Sequence, residues 1–87
     1  MQVRLRRTGG IAGVTLDSGP VDAAELEPAH AEAFAALEQA PPPPAAAPDR
    51  FSYELTLGDR SVRLGERQLT PELRAAIKAL ERRARGR

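Results

Sequence analysis

Four consecutive prolines, Pro41 to Pro44, sit near the middle of an 87-residue chain and divide it. Proline lacks a backbone donor and pushes the preceding residue out of the helical region, so neither a helix nor an inner strand passes through such a run. The stretch PPPPAAAP therefore ends whatever precedes it, and it favours an extended polyproline strut of ~3.1 Å per residue that returns the chain toward the rest of the fold. Pro/Ala-rich segments between periodic ones are commonly spacers, and residues 40–49 are read as a connector; a ligand for proline-binding modules is the functional alternative. Regular structure has to be built separately on each side of it.

Upstream, QVRLRRT alternates, with Val3 and Leu5 on one face and Arg4 and Arg6 on the other, the period of a half-buried strand. Thr8-Gly9-Gly10 breaks it. A second alternation follows in AGVTLD, where Ala12, Val14 and Leu16 share a face opposite Gly13, Thr15 and Asp17. The two runs are expected to pair as an antiparallel hairpin, closed by the turn residues of DSGP. Pro28 suits a first helical turn, and Ala33, Phe34, Leu37 and Ala40 recur at helical spacing, so a helix is predicted from about Pro28 to about Gln39. Its alanines bury little, which leaves Phe34 and Leu37 as anchors.

Downstream, Phe51, Tyr53, Leu55 and Leu57 alternate with Ser52, Glu54 and Thr56; Gly58-Asp59 turns; Val62 and Leu64 alternate back. Tyr53, in period with three apolar neighbours, reads as packing. Thr70 as N-cap, Pro71 at the first helical position and Glu72 against the dipole open a last helix. Its stripe is Leu73, Ala76, Ile77, Leu80 and Ala84, with Arg74, Lys78 and Glu81 outside. The order ββαββα predicts an α+β fold, a four-stranded antiparallel sheet with two helices packed on one face. A chain of this length is one domain, 1–87, burying somewhat over ~60% of its unfolded surface.

Chemistry is limited by what the chain lacks. There is no cysteine, hence no disulfide framework, thiol nucleophile or thiolate metal site. His30 is the only histidine, and in an Ala/Glu-rich helix it reads as a surface residue rather than a metal ligand or proton carrier. No glycine loop precedes a helix as a phosphate cradle would, and the carboxylates fall at no recognisable pair spacing, so an enzyme is not expected, and no cofactor or metal. No apolar run approaches the ~20 residues of a membrane span and no signal peptide is evident, so the expectation is a cytoplasmic monomer without membrane partners. The net charge of +1 hides an uneven distribution: residues 8 to 49 hold seven acids and no Lys or Arg, while Arg4, Arg6, Arg7 and the tail Arg82, Arg83, Arg85 and Arg87 make the ends basic. Such ends invite a small nucleic-acid-binding module; the plainer reading is arginines that complement the dipole of the last helix and solvate its terminus.

The glycine-rich segment RTGGIAG is where function concentrates. If Ala12, Val14 and Leu16 point into the core, Ile11 has the opposite parity and faces outward, flanked by glycines that let a partner's wall approach the backbone. A bulge at Gly13 would instead return Ile11 to the core.

RTGGIAG after an amphipathic first strand, then PDRFSYELTL and LTPELRAAIKAL at these intervals, resembles the emfourin family of protealysin inhibitors, small bacterial proteins that block thermolysin-like zinc metallopeptidases. The resemblance implies a non-enzymatic inhibitor whose partner is a thermolysin-like, protealysin-like metallopeptidase and whose Gly-rich loop 8–14 enters the catalytic cleft. The family's Gly-Gly-aromatic-Ala-Gly pattern falls on Gly9, Gly10, Ile11, Ala12 and Gly13, preceded by Thr8; Ile11 stands where phenylalanine is expected. Ile11 would then anchor the loop, and Asp17 is a carboxylate that would face the peptidase's zinc. The alternatives from other classes are the nucleic-acid module, expected not to apply, and a non-catalytic interaction adaptor that presents its sheet edge or proline strut.

Overall fold

The computed structural model describes residues 1–9, 14–43 and 51–86. Strand β1 (Gln2–Gly9) is central, with β2 (Val14–Asp17) and the short β3 (Val21–Asp22) along one edge and β4 (Phe51–Leu57) along the other; β5 (Arg60–Gly65) lies outside β4. All pairings are antiparallel. The expected α+β architecture is present, with a fifth strand added.

That strand changes the reading of DSGP. The hairpin does not close there, because β2 and β3 both pair with β1 and residues 18–20 form a bulge between them. Arg6 opposes Asp17 and Val3 opposes Val21, so three residues on the outer strand face two on β1. Ser18 occupies the bulge fully buried. Its amide donates to the Leu5 carbonyl at 2.9 Å, and its Oγ accepts from the Leu5 amide at 2.9 Å and donates to the Gly19 carbonyl at 2.8 Å. Gly19 turns at φ 68°, where a Cβ would be strained, and Pro20, without a donor, fits a position that the ladder skips.

Helices α1 (Pro28–Gln39) and α2 (Pro71–Arg85) each carry a proline at their start. Pro28 opens α1. The Thr70 hydroxyl accepts from the Leu73 amide at 3.1 Å to cap α2. The core lies between them and the sheet: Val3, Leu5, Tyr53, Leu55, Leu57, Val62 and Leu64 from the strands meet Phe34 and Leu37 of α1 and Leu73, Ala76, Ile77 and Leu80 of α2. On the helices, two residues depart from expectation. Glu81 of α2 is buried rather than outside, and His30 of α1 keeps only 16% of its side chain exposed.

The described part of the connector is residues 40–43, of which Pro41 and Pro42 line a notch with Arg60 to Arg63 along β5. Gln68 fastens it at the far end, donating to the Pro43 carbonyl at 2.6 Å while its Oε1 accepts from the Gly65 amide at 3.0 Å. Residues 44–49, the remainder of the connector, lie outside the described residues.

Candidate functional site

The β1–β2 hairpin ends at a tip where Gly9 is the partner of Val14 on one side and of Phe51 on the other. Gly9 adopts φ 135°, a region open to glycine and costly for any residue with a Cβ. Gly10, Ile11, Ala12 and Gly13, which connect the two strands, lie outside the described residues, and so does the question of which way Ile11 points. Thr8 is on the sheet's open face, exposed, between Thr15 and Ser52.

One row inward, on the helix-facing side, Leu16, Arg7 and Tyr53 are neighbours across three strands. An arginine in an otherwise apolar row needs a counter-charge, and α2 supplies it: Arg7 Nη1 donates to Glu81 Oε2, with the two side chains only 23% and 11% exposed. The Arg7 guanidinium also lies over the Phe51 ring, 5.1 Å from its centroid, in cation–π geometry. Arg85 approaches Glu81 from the outside at 3.8 Å. Burial, reinforced by the Glu81 charge, raises the Tyr53 phenol above its usual range and keeps it neutral.

Periodicity placed Arg7 among basic surface residues and Glu81 outside α2, and it gave Phe51 a place in the core without this contact. The signals were present in the spacing. Arg7 has the parity of Val3 and Leu5, and Glu81 follows Ile77 by four residues, so both stand on inward faces with opposite charge.

The open face carries a second charge pattern. Asp17, Arg6, Glu54 and Arg63 are successive register neighbours across β2, β1, β4 and β5, and their charges alternate. Arg6 lies 3.9 Å from Asp17 and 4.0 Å from Glu54, and Arg63 lies 3.5 Å from Glu54. Arg4 binds Asp17 in bidentate fashion, at 3.0 and 2.5 Å, and the Gly19 amide donates to the same carboxylate at 2.8 Å. The Arg4 hydrogen bond and then the Gly19 amide outweigh partial burial and lower the Asp17 pKa to about 2. Its oxygens are thus engaged on the sheet by Arg4 and the Gly19 amide. Among the described residues no group of three or more His, Asp or Glu is placed to hold a metal ion, and no helix is long and apolar enough to cross a membrane.

His30 borders a notch between the start of α1 and the end of α2, beside Leu26, Glu27 and Arg82, with Nε2 3.9 Å from the Glu27 carboxylate. It is remote in the sequence from the hairpin tip. Arg83 ties the same region together, donating to the Glu25 carboxylate and carbonyl at 3.2 Å each.

A model of the Emfourin family matches residues 5–81, from the middle of β1 nearly to the end of α2. The chain belongs to the Emfourin family. No curated protein and no solved structure gives a match to it. Emfourin membership implies a role as a protease inhibitor rather than a catalyst. The matched span contains the glycine segment together with Arg7, Phe51 and Glu81.

Proposed function

We propose that this emfourin inhibits a thermolysin-like zinc metallopeptidase by lodging the loop at 8–14 in the catalytic cleft, with Ile11 as the apolar anchor. The observation that carries the reading is the placement of the loop's two ends. Gly9 and Val14 are paired at the end of a central hairpin, with Gly9 in a conformation that excludes side chains. A hairpin on a packed sheet holds a short connection at lower entropic cost than a free peptide, which favours binding. Glycines at 9, 10 and 13 remove bulk, and between them Ile11 is the one β-branched side chain left to fill a pocket of the kind that grips a bulky apolar substrate residue.

Occlusion by shape is the mechanism that the donors favour. Asp17 is held by Arg4 and the Gly19 amide, and the chain has one histidine and no cysteine, so removal of the peptidase's zinc has few candidate ligands here. The nucleic-acid reading loses support, because Arg4, Arg6, Arg7, Arg83 and Arg85 all have carboxylate partners.

The test is inhibition of a thermolysin-like peptidase, with the enzyme's zinc content measured before and after. The wild-type chain is expected to inhibit with zinc retained. Ile11→Ala should weaken inhibition about five- to a hundredfold, the ~1–3 kcal/mol of a buried apolar anchor. Undiminished inhibition by the variant would remove Ile11 from the mechanism, and full peptidase activity at saturating wild-type protein would remove the function.

A further inference from the structure

We infer that Arg7, Glu81 and Phe51 form a positioning device for the hairpin tip, acting on inhibition through the loop without touching the peptidase. The inference rests on the inhibitory reading above and assigns that site its support.

Location comes first. Arg7 is two residues before Gly9, and Phe51 is the register partner of Gly9 across the sheet. Gly9 contributes no side chain, so the tip takes its orientation from what flanks it. On the helix-facing side that flank is the Phe51 ring with the Arg7 guanidinium over it, and the guanidinium is in turn held by Glu81 of α2. The three residues come from β1, β4 and α2, and together they tie the strand entering the loop to both layers of the fold.

Energetics make the choice of residues informative. The row holding Arg7 is otherwise Leu16 and Tyr53, and Glu81 follows Ile77 and Leu80 on the buried side of α2. Burying an ion pair against such neighbours costs desolvation, and well-packed apolar residues of similar size are often as stable or more so. An ion pair with a stacked guanidinium has what an apolar pair lacks, a defined direction. The fork of arginine donates to a carboxylate in its own plane, and its face can lie over an aromatic ring. A directed contact of this kind narrows the range of the strand end and lowers the ordering cost when the loop binds.

The experiment compares wild type with Arg7→Met/Glu81→Leu, which replaces the pair by apolar side chains and leaves no buried charge alone. Thermal unfolding and far-UV circular dichroism are expected to match wild type closely. Inhibition of a thermolysin-like peptidase should weaken at least about tenfold, through faster dissociation. The backbone amide resonances of Gly9, Gly10 and Gly13 should move, while those of α1 stay in place. Phe51→Leu, which keeps apolar bulk and removes the ring face, should move the same glycine resonances. Arg7→Lys, which keeps a cation opposite Glu81 but lacks the planar fork and the face that lies over Phe51, should also weaken inhibition and move the Gly10 and Gly13 resonances, to a smaller extent than the double variant.

Wild-type inhibition and unmoved glycine resonances in both the double variant and Phe51→Leu would overturn the inference while leaving the inhibitory reading intact. If the wild-type chain inhibits no such peptidase, the inhibitory reading falls, and the Gly10 and Gly13 resonances of the double variant, which keeps every aromatic ring, decide whether the device exists: displacement supports it and constancy overturns it.

Discussion

Asp17 shows how one side chain takes its role from its neighbours. It stands at the end of β2, opposite Arg6 and diagonal to Arg4, and the Gly19 amide closes around it. Its pKa falls from 3.8 to about 2, so the folded state prefers the ionised form more strongly than the unfolded chain does. The stabilisation is complete above the unfolded value and is lost as pH falls through the folded one, a window from about 4 down to 2. Arg4 and Asp17 remain 47% and 34% exposed, so solvent screening keeps the contribution small. Asp17→Asn is expected to lower stability slightly at neutral pH. The gap between variant and wild type should close between pH 4 and 2 in urea melts, and a gap constant through that window would assign the carboxylate no such role.

At the scale of elements, the long edge of β1 is held by two strands that one bulge separates. Ser18 makes this possible. It is fully buried with its hydroxyl and amide satisfied, and it supplies Leu5 with both an acceptor and a donor where the outer strand bulges. Ser18→Ala would leave the Leu5 amide without its partner inside the fold, costing ~1–3 kcal/mol. At ~4–8 °C per kcal/mol for a domain of this size, the melting temperature should fall clearly. Hydrogen exchange at Leu5 should accelerate more than at Leu55, its neighbour on β4. Equal acceleration at both would show a global loss rather than opening of the bulge.

The whole molecule depends on few large side chains. The chain has only two phenylalanines and one tyrosine, and Phe34 is the largest fully buried one, set between α1 and the rest of the core. Phe34→Ala should cost ~3–5 kcal/mol, a large share of the ~5–15 kcal/mol that typical domains possess. Because both helices and all the main strands share one core, loss of the folded state should remain a single transition, lowered by roughly 15 °C or more. Two separated transitions by calorimetry and circular dichroism would contradict one cooperative unit. Within that unit the hairpin tip is tied to α2 through Arg7 and Glu81, so damage to the core is expected to reach inhibition as well as stability.

The periods of two and 3.6 residues, the caps and the proline run are local properties of the chain, and they determined both helices, the long strands and the face each one buries. Thr70 caps α2 and Pro28 opens α1 wherever those helices lie, because the orphan amides of a first turn are satisfied by residues next to them in sequence. The return of the chain after Pro20 to pair again with β1 depended instead on whether Ser18 found Leu5, thirteen residues away. The same holds for the support of the site. Arg7 and Glu81 read as ordinary surface charges one at a time, although each stands where the spacing expects an apolar residue, and they become a largely buried pair only when residues 74 positions apart are packed face to face. A charge inside a fold is tolerable only beside its opposite, and which opposite it meets is decided by tertiary packing alone.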